Sequence, residues 1–251
     1  MDIGAFSSKL GSHLERLRDA RASISGPIEW YHYDILANVV HIDAMLTGEH
    51  RDLDLLAGGL PIADIGAADG DLAFALEAQT GWELDIVDHG RTNQNGLRGA
   101  RALASALNSK AQVHDIDLDR QFRLPRDSYG LVLLLGILYH LQNPYFALLE
   151  LAYRAKHCIL STRVARVAGQ ERTPIGHLPV AYLVAPHETN NDSTNYWIFS
   201  PTGLERLVSR AGWEVLDRLN VGNTEDSDPA TAQGDERMFL LIRSSQWIGG
   251  G

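Results

Sequence analysis

"PIADIGAADGDLAFAL", residues 61–76, runs from a short apolar strand through two glycines into an alanine- and leucine-rich helix. A strand that enters a glycine turn and leaves as a helix aims backbone N–H groups and the helix N-terminus at a ligand. Gly66 and Gly70 give this turn its freedom and keep side chains out of the way. A dinucleotide loop would read G-x-G-x-x-G around a doubly charged pyrophosphate. Here the spacing is G-x-A-x-G, and Asp64, Asp69 and Asp71 surround it. Three carboxylates repel a pyrophosphate at low local dielectric, so a ligand with a positive end suits the loop better.

Outward from the turn the chain alternates. "ELDIVD" (83–88), "AQVHDI" (111–116), "GLVLLLGIL" (130–138) and "HCILSTRV" (157–164) read as strands. Between them lie the helix closed by Gly81, a helix near 94–107, and "NPYFALLELAYRA" (143–155) with Pro144 in its first turn. Strand–helix alternation predicts a parallel sheet covered on both faces, with ligands at the carboxyl ends of its strands. "SPTGLERLVSRAGW" is a helix with Ser200 as N-cap, and "WEVLDRLNV" and "ERMFLLIRS" are the last two strands. The polar stretch 222–235 between those strands reads as a mobile loop.

Upstream, Phe6, Leu10, Leu14 and Leu17 recur at helical spacing, predicting one amphipathic helix near 5–23, stopped by "SGP". The expected organisation is an N-terminal helical extension or lid (1–55), a ligand-binding domain (56–246) with a loop-rich insertion near 166–195, and a tail (247–251).

At 251 residues with 45% hydrophobic and 22% charged content, the composition is that of a globular protein. A net charge of −10 argues against a surface built mainly for nucleic acid. A single Cys158 excludes an internal disulfide. No close histidine or acidic spacing supports a metal site. The N-terminus lacks the basic start and apolar core of a signal peptide, and no apolar run reaches membrane-spanning length. A cytoplasmic protein is expected.

"ADIGAADGD" resembles the first motif of class I S-adenosylmethionine-dependent methyltransferases, an acidic residue followed by G-x-G-x-G. Asp88, 24 residues after Asp64, stands where that fold places a carboxylate on the ribose hydroxyls. "HDID" (114–117) stands where the third strand presents a side chain to the adenine, with Asp115 the first choice and Asp117 the second. With the order of the later elements, the resemblance covers roughly residues 55–245. It implies an α/β Rossmann-like fold, a mostly parallel sheet of seven strands with helices on both faces, and S-adenosylmethionine as cofactor. The cofactor residues it implies are Asp64, Gly66, Ala68, Asp69, Gly70, Asp88, His89, Asp115, Ile116 and Gly136. Ala68 replaces a family glycine, a small-for-small change that suits the turn if the position does not need positive φ.

"GILYHLQNP" and "NYWIFSPTGLERLVSRAGWEV" look closest to the bacterial enzymes that modify the wobble uridine of tRNA, including the branch that transfers a carboxymethyl group. In that branch the residue matching Tyr139 helps hold the carboxylated cofactor, together with lysines upstream of the glycine motif. Only Lys9 precedes residue 64 here, so ordinary S-adenosylmethionine and methyl transfer are expected. Tyr139 and His140 are the candidate catalytic residues, at the carboxyl end of the fourth strand. His140 reads as a general base for a hydroxyl, or as a structural residue bonding the loop. Trp30, Tyr31 and His32, with Asn195 and Tyr196, are candidates for an acceptor pocket or lid, core packing being the rival reading. Arg163, Arg166, Arg172, Arg98 and Arg101 would be the basic patch of a tRNA enzyme, or scattered solvated arginines. The acidic balance favours a small-molecule acceptor methylated at oxygen, with tRNA as the alternative and a non-catalytic cofactor-binding protein as the third reading.

Overall fold

The computed structural model describes residues 1–120, 122–230 and 234–249. Seven strands form the central sheet: β1 Ile62–Ile65, β2 Leu84–Asp88, β3 Gln112–Asp115, β4 Tyr129–Leu135, β5 Ala155–Val164, β6 Trp213–Gly222 and β7 Glu236–Ser244. Their order is β6-β7-β5-β4-β1-β2-β3. β1 to β5 are mutually parallel, and β7 runs antiparallel to both β5 and β6. Every residue of β1 is buried, as a strand flanked on both sides and covered on both faces requires. The strand order reverses between β1 and β4, so the ligand crevice opens at their carboxyl ends, where Gly66 and Gly136 follow.

The helices are α1 Ile3–Ser7, α2 Leu10–Ser23, α3 Asn38–Met45, α4 Leu53–Ala57, α5 Asp71–Thr80, α6 Arg98–Ala106, α7 Pro144–Arg154 and α8 Pro201–Arg210. One core joins α1 to α6 to one sheet face, with Phe6, Leu36, Phe74 and Phe239 at its centre. The other gathers α7 and α8 against the opposite face around Tyr129, Leu148, Leu204 and Trp213. The Trp213 indole N–H is satisfied by the Leu148 carbonyl at 2.8 Å. No helix among the described residues is long and apolar enough to cross a membrane.

Local chemistry explains the boundaries. Gly81 at φ 70 closes α5 by donating to the Glu77 carbonyl at 2.7 Å. The Ser200 hydroxyl accepts from the Gly203 N–H at 2.9 Å, with Pro201 at the first helical position of α8. β4 stops at Leu135, one residue short of Gly136 at φ 73, and residues 138–140 form a 3-10 turn rather than a continuation of the strand.

The structure corrects two expectations, the single N-terminal helix and the mobile loop, and adds detail to two more. The N-terminal helix is two helices broken at residues 8–9. The insertion is not without strands: Ala181–Leu183 pairs with Trp197–Phe199, which joins β5, and Val167–Ala168 pairs with Thr173–Pro174. The polar stretch after β6 is tied down where it is described, Asp226 pairing with Arg172 and Ser227 lying fully buried; residues 231–233 lie outside the described residues. Trp247, placed in the tail, donates its indole N–H to Ser128 at 3.0 Å.

Candidate active site

The turn after β1 is built by close approach. A Cβ on Gly66 would stand 2.8 Å from the Ile137 side chain, and one on Gly70 2.9 Å from Ile86 and Phe74. Both glycines have positive φ, 71 and 82. Ala68 between them also sits at positive φ, 53, so the small-for-small reading is corrected. The position needs the left-handed region after all, where a Cβ costs about 1–2 kcal/mol. Ala68→Gly is therefore expected to stabilise the fold by about 0.5–1 kcal/mol, the relieved strain less the entropy glycine adds to the unfolded chain. The same change at Ala73, inside α5, is expected to destabilise by about 1 kcal/mol. Opposite signs in urea unfolding would confirm this, and equal signs would refute the strain.

The three aspartates have different tasks. Asp64 is 4% exposed, and its Oδ2 has no hydrogen-bond partner among the described residues. Burial, and then the charge of Asp88, push its pKa up to about 7. Asp69 is 2% exposed with both oxygens taken: Oδ2 accepts from the Tyr31 N–H at 2.7 Å and Oδ1 from the Asn95 amide at 2.7 Å. Asp71 receives the Arg21 guanidinium at 2.7 and 2.8 Å. Arg21 in turn lies 5.1 Å above the Trp30 ring, and Trp30 packs against the core. Asp69 and Asp71 thus fasten the N-terminal segment across the turn, instead of facing a ligand's positive end. The loop after β2 holds the same strap, with Asn95 donating to the Glu29 carbonyl and Gln94 to the Trp30 carbonyl.

Asp88 ends β2 beside the turn. Its Oδ2 accepts from the Ala68 N–H and from Asn93, both at 3.0 Å, and its Oδ1 from the His89 N–H at 2.7 Å. Burial raises its pKa while these bonds oppose the rise. Asp115 accepts from the Gly90 N–H at 2.8 Å, a position where any Cβ would meet the carboxylate at 2.6 Å. Ile116 donates to the Asp88 carbonyl, and His89 stands 3.9 Å from Asp117.

At the end of β4, Tyr139 and His140 stack at 4.2 Å between ring centres. His140 Nδ1 lies 3.2 Å from the Thr194 carbonyl and 2.9 Å from Thr194 Oγ1, whose hydroxyl proton goes to Asp192 at 2.6 Å. Both oxygens can only accept, so Nδ1 carries the ring proton and Nε2 is the basic nitrogen. The hydrogen bonds of the ring among the described residues are all made by Nδ1. Burial holds the imidazole pKa below its usual value, so the ring is neutral at pH 7.

The strap brings Tyr31 to this corner. Burial first, then the neighbouring Tyr139, Tyr33 and Asp88, push its hydroxyl pKa up to about 12. His32 stacks on Tyr33 at 4.0 Å, on the outside. Tyr196 donates its N–H to the Tyr139 carbonyl at 2.8 Å, and Asn195 is buried, donating to the Thr189 carbonyl. Three of the five arginines are drawn out of a basic patch, while Arg98 and Arg101 are exposed on α6. Arg163 is 3% exposed, Arg166 pairs with Glu236, and Arg172 pairs with Asp226 and Asp228.

Sequence reasoning missed Asn93, Asn95, Thr194 and Arg237. The two asparagines follow a strand-end aspartate, the best available signal. Arg237, on β7, has a guanidinium nitrogen 3.0 Å from where a Gly136 Cβ would stand, beside the Tyr139 hydroxyl. Its only sequence signal is a charge at the start of an apolar strand.

A scan of protein families matches the description "Methyltransferase domain" over residues 51–218. The chain belongs to that family. No curated protein matches. Among solved structures the methyltransferase is similar to the N-terminal domain of EvdMO1 with S-adenosylhomocysteine bound, at TM-score 0.59 and 15% identity over 92% of this chain and 96% of that one. It is similar to the [4+2]-cyclase SpnF at TM-score 0.57 and 14% identity, covering 94% of each chain. TehB from Haemophilus influenzae follows at TM-score 0.53 and 12% identity, over 80% of this chain and 63% of that one. Family and fold together make S-adenosylmethionine the methyl donor and S-adenosylhomocysteine the product. The residues present fit it. A buried carboxylate oxygen without a partner at Asp64 suits a cationic ligand.

Proposed function

We propose that this methyltransferase transfers a methyl group to a hydroxyl of a small molecule, with His140 as general base. The observation that carries the reading is the imidazole fixed through Nδ1 on Thr194, leaving a basic Nε2 at the end of β4. Asp64 and the 66–70 turn would hold the amino-acid end of S-adenosylmethionine, Asp88 the ribose, and the 89–90 and 115–116 segments the adenine. When bound, the cofactor supplies a methyl group already activated on a sulfonium. The protein's own part is to orient the acceptor, shield the site with the 29–33 strap, and take the hydroxyl proton at His140 Nε2.

Fold likeness does not select the acceptor. One fold relative was crystallised in the presence of S-adenosylhomocysteine and D-fucose, and another is a cyclase. A hydroxylated small molecule accords with the first of these and with the net charge of −10.

Calorimetry with S-adenosylhomocysteine tests the cofactor half, and its release from S-adenosylmethionine across a hydroxyl panel tests the transfer. Asp88→Ala is expected to weaken S-adenosylhomocysteine at least tenfold, because the charge-assisted ribose bonds and the Ala68 tether go together. Unchanged affinity would sink the assignment, and a salt-sensitive complex with tRNA would move the acceptor to nucleic acid.

A further inference from the structure

Arg237 has no ion pair and no side-chain hydrogen bond among the described residues, although it is half-buried. Its neighbours on the same sheet edge are all engaged. Arg166 takes Glu236 at 2.7 Å, and Arg163 donates to the Asp228 carbonyl at 3.0 Å. Arg163 and Arg237 are also directly opposed across the β5–β7 ladder, so their side chains share one face. The charges of Asp235 and Asp228 already act on Arg163, which leaves Arg237 as the arginine of the pair to meet an anion.

Arg237 also faces space. A cavity of about 270 Å³ lies between α3 and the β6–β7 hairpin, lined by Asn38, His41, Val221, Asp235 and Arg237. The His41 ring packs on Phe239 at 5.2 Å, forming a flat wall, and Asp235 makes no ion pair with Arg237. The cavity is just below the range of pockets for drug-sized ligands, so it suits a small group. On its other side the guanidinium reaches the Gly136–Tyr139 corner, and it lies close enough to His140 for its charge to disfavour the imidazolium. One residue therefore borders both the cavity and the proposed base.

Resting on the hydroxyl-methylation reading, we infer that the acceptor is a small anion, a single-ring acid with a carboxylate or phosphate, and that Arg237 receives the anionic group. The anionic group seats at the cavity beside His41, and the ring extends past the guanidinium so that the hydroxyl to be methylated reaches His140. The planar guanidinium suits a two-oxygen anion, whereas a lysine would offer only a point charge. Arg237 is thus a specificity-determining residue for the acceptor.

The probes are benzoate, inorganic phosphate and neutral benzamide, titrated by calorimetry and ligand-observed NMR into the protein with and without S-adenosylhomocysteine. Benzoate or phosphate is expected to bind the wild type. Arg237→Gln is expected to weaken that anion at least tenfold, with Arg237→Lys intermediate and benzamide indifferent to both. Benzoate alone would identify a carboxylate acceptor, and phosphate alone a phosphorylated one. If neither anion binds the wild type, or Arg237→Gln binds as well, the inference is overturned. A tenfold loss of S-adenosylhomocysteine affinity in Arg237→Gln would overturn it too, since the arginine would then serve the cofactor's own carboxylate. Failure of the wild type to bind S-adenosylhomocysteine would instead strike the functional reading, which the cofactor titration reports separately from the anion titration.

Discussion

Arg166→Met is expected to destabilise the fold by about 3–5 kcal/mol, because it leaves a fully buried carboxylate without its cation. Glu236 is 0% exposed, and Arg166 grips it twice, Nε at 2.8 Å and an Nη at 2.7 Å. Asn220 at 2.6 Å and Ser227 at 2.8 Å complete the shell, but neither carries charge. For a chain of this size the loss corresponds to a fall in thermal midpoint on the order of 10 °C. The double variant Arg166→Met/Glu236→Met is expected to recover at least half of it, since removing both charges avoids the unpaired one. Urea unfolding of the two variants decides the matter. A double variant as unstable as the single one would show that packing, not charge pairing, holds this corner. The network lies next to Arg237 in sequence and ties the 223–230 stretch to the start of the insertion.

His140→Asn is expected to lower kcat/KM by about 10²–10⁴, the usual worth of a positioned general base. Asparagine keeps a donor for the Thr194 oxygens but offers no basic nitrogen, so positioning and proton transfer are separated. Affinity for S-adenosylhomocysteine is expected to stay within about threefold, because His140 is placed on the acceptor side. The sign of the pH dependence follows from burial, which holds the pKa of His140 below the usual histidine value. The base form is complete at pH 7 and above, and wild-type activity falls only when the pH drops below that lowered value. His140→Asn loses this acid limb. A variant that keeps more than a tenth of the activity, with the limb intact, would return His140 to a purely structural role.

Much of this architecture is legible along the chain. Apolar runs such as 131–135 and 158–160 have to be buried on both faces, and Gly81, Ser200 and Pro201 punctuate the helices through their own backbone chemistry. Those are local properties, carried by period, propensity and capping, and they bring the glycine turn, Asp88 and His140 to one edge of a parallel sheet. The positive φ of Ala68 is not legible, because alanine does not announce the left-handed region in which Asp88 and Asn93 hold its backbone. Nor are the partners of the aspartates. Asp69 and Asp71 sit two residues apart in an apparently ligand-seeking cluster, yet their counter-groups, the Tyr31 N–H and Arg21, arrive from 38 and 50 residues away.

Charge pairing is a property of distance in space, and composition cannot report it. Of the five arginines that could have made a basic patch, Arg163 is buried and Arg166 and Arg172 are ion-paired, while Arg98 and Arg101 stay exposed on α6. Arg237, never suspected, is left facing a cavity and the candidate base. The sequence by itself determined the strand–turn–helix at 61–76 and the family to which the chain belongs. Only the tertiary structure decided which carboxylates are taken up, because the partners of Asp69 and Asp71 come from residues distant along the chain.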